Sequence, residues 1–135
     1  MDRIGKRKRS KLMAAIKSSG TKPERLLAAA FRAQGIRIRL IYGREKIDIA
    51  MPNHKLAVFV DGCFWHQCPK HSHLPKGNRS YWVPKLEANK RRSKAKDMRL
   101  RRKGWSVAHI WEHSLISQRA AEKQAKRLIT KFKLK

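Results

Sequence analysis

Apolar residues recur with two periods along this chain, and together they outline seven elements. Leu26, Leu27, Ala30 and Phe31 repeat at helical spacing. They follow Thr21-Lys-Pro-Glu24, which reads as a helix start: a cap, a proline tolerated in the first turn, and an acid at the positive end of the dipole. Gly35 ends that helix. Ile36, Ile38 and Leu40 then alternate with Arg37 and Arg39, which predicts a strand with one wet face. After a turn at Gly43, Lys46 to Met51 alternates again, with Ile47 and Ile49 on one face and Asp48 on the other. Pro52-Asn53-His54 is a turn, and Lys55 to Val60 is nearly continuous apolar, as expected of a central strand. Gly62 to Asn78 reads as a loop rich in Cys, His, Pro and aromatic residues. From about Ser80 to Lys103 a long basic helix follows, with Leu86, Met98 and Leu100 apolar and Gly104 as its stop. Trp105 to Trp111 predicts a strand returning to the sheet, and Ser117 to Phe132 a final amphipathic helix. The order α, β-β-β, α, β, α is that of an α/β domain whose first three strands form an antiparallel meander. Upstream, Leu12, Met13 and Ile16 suggest a short helix behind a basic arm, residues 1–10, so a single domain is expected over 11–135.

Charge changes this picture most. The 135 residues hold 35 Lys and Arg against 9 Asp and Glu, a formal net charge of +26. A compact domain so charged repels itself, and a polyanionic partner is the natural explanation. The basic residues lie in runs along the whole chain, among them Lys6 to Arg9, Lys90 to Lys96, Arg99 to Lys103 and Lys131 to Lys135. That spread fits nucleic acid better than an acidic protein. A hydrophobic fraction of 41% excludes a disordered basic tail. No apolar run suits a bilayer span, and the N-terminus lacks the apolar segment of a signal peptide. An intracellular, cytoplasmic protein is therefore expected, and in that setting Cys63 and Cys68 suit metal better than a disulfide.

The cysteines belong to Cys63-Phe-Trp-His-Gln-Cys68-Pro-Lys-His71, a C-x4-C-x2-H array whose thiolates and imidazole suit tetrahedral zinc. A closed structural site needs a fourth ligand. His113 is the best candidate, because the strand before it would return beside the loop, with His73 as the other choice. Catalytic chemistry points to the acids. Asp48, on a wet strand face, can hold Mg²⁺ through its carboxylate oxygens. Such an ion neutralises charge developing on a phosphate. Asp61 would place a second carboxylate near the same spot, His66 can serve as general base, and Glu24 can hold a water at the metal. Carboxylates in so basic a chain repel DNA unless a cation lies between, so each one at a DNA face needs a reason.

Thr21-Lys-Pro-Glu24, Asp48, Val58-Phe-Val-Asp-Gly-Cys-Phe-Trp-His66, Cys68-Pro-Lys-His71, Tyr81-Trp82, Lys85-Leu86, Asn89, Gly104-Trp105 and Trp111-Glu-His113 together resemble the very short patch repair (Vsr) endonucleases. The likeness runs from about Arg9 to Leu115, and Gly-Cys-Phe-Trp-His is its most specific part. It implies a restriction-endonuclease-like three-layer α/β/α fold with a central mixed sheet and a zinc-stapled loop. It also implies a Mg²⁺-dependent nick 5′ to the thymine of a T·G mismatch in double-stranded DNA. On this likeness Asp48 and the Val60 carbonyl hold Mg²⁺, His66 is the catalytic histidine, and Glu24 acts through water. Phe64, Trp65 and Trp82 would wedge into the DNA, as aromatic faces do beside unstacked bases. For Trp82 and Trp65 the alternative is core packing. Lys85, Asn89 and Arg92 would lie on the DNA-gripping helix. Cys63, Cys68, His71 and His113 would carry the zinc.

The chain also departs from the family pattern. Cys68 and His113 exchange the usual residue types at the second and last zinc positions, and both remain competent ligands. Asp61 replaces a histidine commonly found before the Gly-Cys. Ser93 stands where an aspartate commonly supports the catalytic histidine, with Asp97 one helical turn on as a substitute. A monomeric, nucleoid-associated enzyme is expected, with a mismatch-repair protein as a conceivable partner. Two other readings compete: a sequence-specific or defence-associated endonuclease without mismatch preference, and a zinc-bearing DNA-binding protein without catalysis.

Overall fold

The computed structural model of the protein describes residues 21–62 and 79–135. The N-terminal arm, the short helix expected around Leu12 to Ile16, and most of the Cys- and His-rich loop lie outside the described residues.

Helix α1 spans Lys22–Ala33. Its start is a capping box: Thr21 takes the extended N-cap conformation, and the Thr21 N–H donates to Glu24 Oε2 at 3.3 Å. Its end differs from the sequence expectation. Gly35, at φ 77°, donates to the Arg32 carbonyl, and Ile36 reaches back to the Phe31 carbonyl at 3.1 Å. Ile36 is therefore the buried apolar residue of a helix cap, not the first residue of a strand. Strand β1 begins later than the alternation suggested, at Arg39–Tyr42.

Strands β2, Ile47–Met51, and β3, Leu56–Asp61, follow with a 3₁₀ turn at Pro52–His54 between them. Helix α2 covers Arg79–Arg102, β4 covers Ser106–Trp111, and α3 covers Gln118–Lys131 after a 3₁₀ turn at Glu112–Leu115. Gly104, at φ 85°, ends α2 with the same cap that Gly35 gives α1, since the Trp105 N–H returns to the Leu100 carbonyl. No helix among the described residues is long and apolar enough to cross a membrane.

The sheet order is β1-β2-β3-β4. The first two pairings are antiparallel, and β3 pairs with β4 in parallel, so the sheet is mixed. Joining parallel neighbours takes a long crossover, and α2 lies within it. On one face, Ile49, Met51, Val58, Val60 and Ile110 pack with Leu27 and Phe31 of α1 and Leu128 of α3. On the other, Ala57 and Phe59 pack with Leu100 of α2. Helices thus cover both faces, as the family resemblance implies. β1 is an exposed edge, while β3 is buried along nearly its whole length. Ile41, at φ 47°, interrupts the β1–β2 ladder at the step across from Asp48. A β-branched residue in that conformation is strained, and such irregularities tend to lie beside functional sites.

Candidate active site

Asp48 and Phe59 face each other across the β2–β3 pairing, because Ile49 pairs with Val58 and the strands run antiparallel. Asp48 Oδ2 accepts the Val60 backbone N–H at 3.0 Å. The carboxyl is pushed up from 3.8 to about 7. Burial is the main cause, followed by the negative charge of Glu24; the Val60 amide and the charge of Lys96 pull the other way. Glu24 is itself buried at 7% exposure and accepts the Thr21 N–H of its capping box.

Asp48 opens onto a cleft of about 470 Å³ between the sheet and α2. Val60 and Asp61 line it from β3; Asn89, Arg92, Ser93, Lys96 and Arg99 line it from α2. Lys96 Nζ stands 5.3 Å from the centre of the Phe59 ring. Arg99 grips Glu45 with Nε and Nη2, the shortest contact being 2.8 Å, and so ties the β1–β2 turn to α2. Asp48, with Asp61 beside it, set among lysines and arginines suits a phosphodiester backbone brought to a bound cation.

Beside the cleft a histidine is held between two acids. His109 of β4 is opposite Phe59 in the parallel register, and its ring stacks on that phenyl at 5.3 Å and 22°. Nδ1 faces both Asp61 oxygens at 2.9 and 3.0 Å, and Nε2 faces Asp97 Oδ2 at 2.6 Å. Burial opposes the imidazolium, but the hydrogen bonds and charges of Asp61 and then Asp97 outweigh it and raise its pKa from 6.5 to about 9. At neutral pH both ring nitrogens therefore donate.

The family model described as "DNA mismatch endonuclease Vsr" matches residues 1–72. The chain belongs to the Vsr endonuclease family. It is 35% identical over 134 residues to the type II nicking enzyme V.XorIIP of Xanthomonas oryzae, covering 95% of this chain and 96% of that one. It is 42% identical over 120 residues to V.NaeI of Lentzea aerocolonigenes, covering 84% and 72%. It is 32% identical over 114 residues to the DNA mismatch endonuclease Vsr of Escherichia coli, covering 79% and 70%. The protein is accordingly a DNA endonuclease.

Within this Vsr fold the structure brings together Asp48, Val60, Asp61, Asn89 and Arg92 in one cleft, with Glu24 close enough to act on Asp48 by its charge. Lys85 does not line the cleft; its ammonium stands 4.6 Å from the Tyr81 ring centre. Trp82, expected to wedge into DNA, is 5% exposed and packs edge-on to Tyr81, so in the free chain its ring is a packing element. Asp97, a substitute support for His66 on the sequence reading, is bonded through Oδ2 to His109. His66, Phe64, Trp65, Cys63, Cys68, His71 and His73 lie outside the described residues. His113, expected as a zinc ligand, stacks on Trp111 at 6.3 Å and 13°. Among the described residues no three His, Cys, Asp or Glu side chains are grouped to hold a metal.

Sequence reasoning missed His109. A signal was available: if Trp105 to Trp111 returns in parallel beside Lys55 to Asp61, a mid-strand histidine falls next to the acid that ends the neighbouring strand.

Proposed function

We propose that the chain nicks one strand of double-stranded DNA at a T·G mismatch in a Mg²⁺-dependent reaction. The observation that carries the reading is Asp48: a carboxylate raised to about 7, bonded to the Val60 backbone, at a cleft lined with basic residues. Asp48 and the Val60 carbonyl are the Mg²⁺ ligands in this reading. Oxygen donors suit that ion, and with one or two carboxylates it fills its shell with water and substrate phosphate. Bound there, the ion supplies positive charge against the negative charge that develops at phosphorus. Arg92 and Lys96 hold the phosphate backbone, and His66 takes the proton of the attacking water. As the water oxygen bonds to phosphorus, the bond to the departing sugar oxygen breaks. Phe64 and Trp65 are the wedge beside the mismatch.

A structural zinc held by Cys63, Cys68, His71 and His113 completes the proposal. Its support is topological: Asp61 pairs with Trp111, and Cys63 and His113 each follow those paired residues by two positions.

The test is incubation with end-labelled T·G and matched duplexes, with Mg²⁺ and with EDTA. The proposal expects one nicked strand, on the T·G duplex, with Mg²⁺ only. Equal nicking of the matched duplex would favour a nicking endonuclease without mismatch preference, a reading supported by relatives named simply as type II nicking enzymes. Tight, salt-sensitive binding without cleavage under any divalent ion would leave a DNA-binding protein.

A further inference from the structure

We infer that His109 is a positioning residue for the nicking reaction, clamping Asp97 of α2 and Asp61 of β3 so that α2 holds its phosphate-facing side chains in register with Asp48. The inference rests on the reading of the Asp48 cleft as the active site.

Three elements meet at one ring. Asp61 and Asp97 are 36 residues apart in sequence and both nearly covered, with side chains 13% and 14% exposed. Two such carboxylates on either side of one ring repel each other unless a cation lies between them. His109 is that cation, and its two ring nitrogens point in opposite directions, one to each acid. A neutral imidazole would turn a lone pair toward one carboxylate, so the geometry asks for both N–H donors. Asp97 Oδ1 is buried with no hydrogen-bond partner among the described residues, so the His109 contact at Oδ2 anchors that side chain. Asp97 adjoins Lys96 and lies one turn beyond Ser93, both of which line the cleft. Asp61 lies beside Val60, whose amide is bonded to Asp48, and its charge reaches Asp48. Without the imidazole, α2 loses its tie from Asp97 to Asp61 of β3, beside the cleft that Lys96, Arg92 and Asp48 line.

His109→Phe keeps a ring to stack on Phe59 and loses both donors. With Mg²⁺ and the T·G duplex, kcat should fall roughly 10- to 100-fold, the usual range when a supporting hydrogen bond around a metal site is lost. KM and the dissociation constant for DNA should stay within about threefold, since the phosphate contacts that dominate affinity remain. His109→Arg, which carries a cation with donors for two carboxylates, should restore most of kcat. Amide exchange across 92–97 should quicken in the Phe variant and return toward wild type in the Arg variant, a readout independent of turnover.

Wild-type kcat in His109→Phe overturns the inference, as does a loss that His109→Arg leaves unrelieved. If the Phe variant does not fold, Asp97→Asn serves instead: it keeps a bond acceptor, and kcat should fall while DNA affinity holds. Asp48→Asn separates the two levels. If it nicks normally, the active-site reading fails; if it is inactive while His109→Phe is fully active, only the clamp fails.

Discussion

Replacing Asp48 by asparagine should stabilise the metal-free protein even as it removes nicking. In the unfolded chain this carboxyl ionises near 3.8; in the fold, burial and the charge of Glu24 move it to about 7. The sign follows from which state binds the proton more tightly. The folded state does, so the stability linked to the protonated acid is complete below about pH 3.8 and is lost as pH rises through about 7. Above that, the difference between 3.8 and about 7 corresponds to a penalty of about 4 kcal/mol. Asparagine carries no charge at any pH, and its amide oxygen can still accept the Val60 N–H. It should escape most of the penalty. Because the cleft admits water, a gain of about 1–3 kcal/mol at pH 8 is the realistic expectation. For a chain of this length each kcal/mol raises Tm by roughly 3–5 °C. The assay is thermal and urea unfolding of both proteins in EDTA at about pH 4, 6 and 8, with the gap growing along that series. Adding Mg²⁺ should then raise the Tm of the wild type and leave the variant unmoved, since a ligand stabilises only a state that binds it. Equal stability at pH 8, or a gap that does not narrow in acid, would refute the account of Asp48.

Further outcomes can be checked alongside it. Asp48→Ala should abolish Mg²⁺-dependent nicking while DNA affinity, read by gel shift, stays within about threefold, because phosphate contacts carry the affinity. Arg92→Ala should weaken binding to matched and mismatched duplexes alike and lower the slope of log affinity against log salt by about 1, read by fluorescence anisotropy. His109 is raised from 6.5 to about 9, so its stabilising contribution is complete below 6.5 and lost as pH rises through about 9. The stability gap between wild type and His109→Phe, from urea unfolding across that window, should therefore narrow with rising pH. Elemental analysis should find about one zinc per chain, and a zinc chelator should lower Tm, as expected where a metal orders an irregular loop.

Local patterns carried most of the fold into view. Alternation at Lys46 to Met51 and the apolar run at Lys55 to Val60 mark β2 and β3, because an antiparallel meander is specified by neighbours in sequence. β1 was displaced, since Ile36 reads the same whether it opens a strand or closes a helix cap; only the bond to the Phe31 carbonyl decides. The site divides along the same line. Asp48 is legible as an acid on a strand, but the wet face expected for it is not what surrounds it, since burial is the main cause of its raised pKa. Its pairing with Val60 follows from the β2–β3 hairpin. The Asp61–His109–Asp97 cluster is not local, because it depends on the parallel β3–β4 register and on where a 24-residue helix passes over the sheet. Trp82 illustrates the limit of residue type: an aromatic ring suits a DNA wedge and a packed interior equally, and its burial is a tertiary fact.

The acids explain how so basic a chain keeps negative charge at a cleft lined with lysines and arginines. Of nine in the sequence, Glu24, Glu45, Asp48, Asp61 and Asp97 gather around it. Four of these have a compensating group identified by geometry. Glu24 sits in the first turn of α1 and accepts the Thr21 N–H, where the helix dipole favours an anion. Glu45 is held by Arg99, and Asp61 and Asp97 by His109. Asp48 has one backbone N–H, set against burial and the charges of Glu24 and Asp61, and the balance leaves it raised to about 7. Of the two carboxylates that line the basic cleft, Asp61 is held by His109 and Asp48 is the one whose pKa stays raised. On the proposed reading a divalent cation would gain most there, and the incoming phosphate, repelled by a bare carboxylate, would be attracted once the cation is in place. On the same reading, compensating the neighbours while leaving Asp48 in deficit prepares that carboxylate for a metal ion, while the basic side chains around it carry the affinity for phosphate.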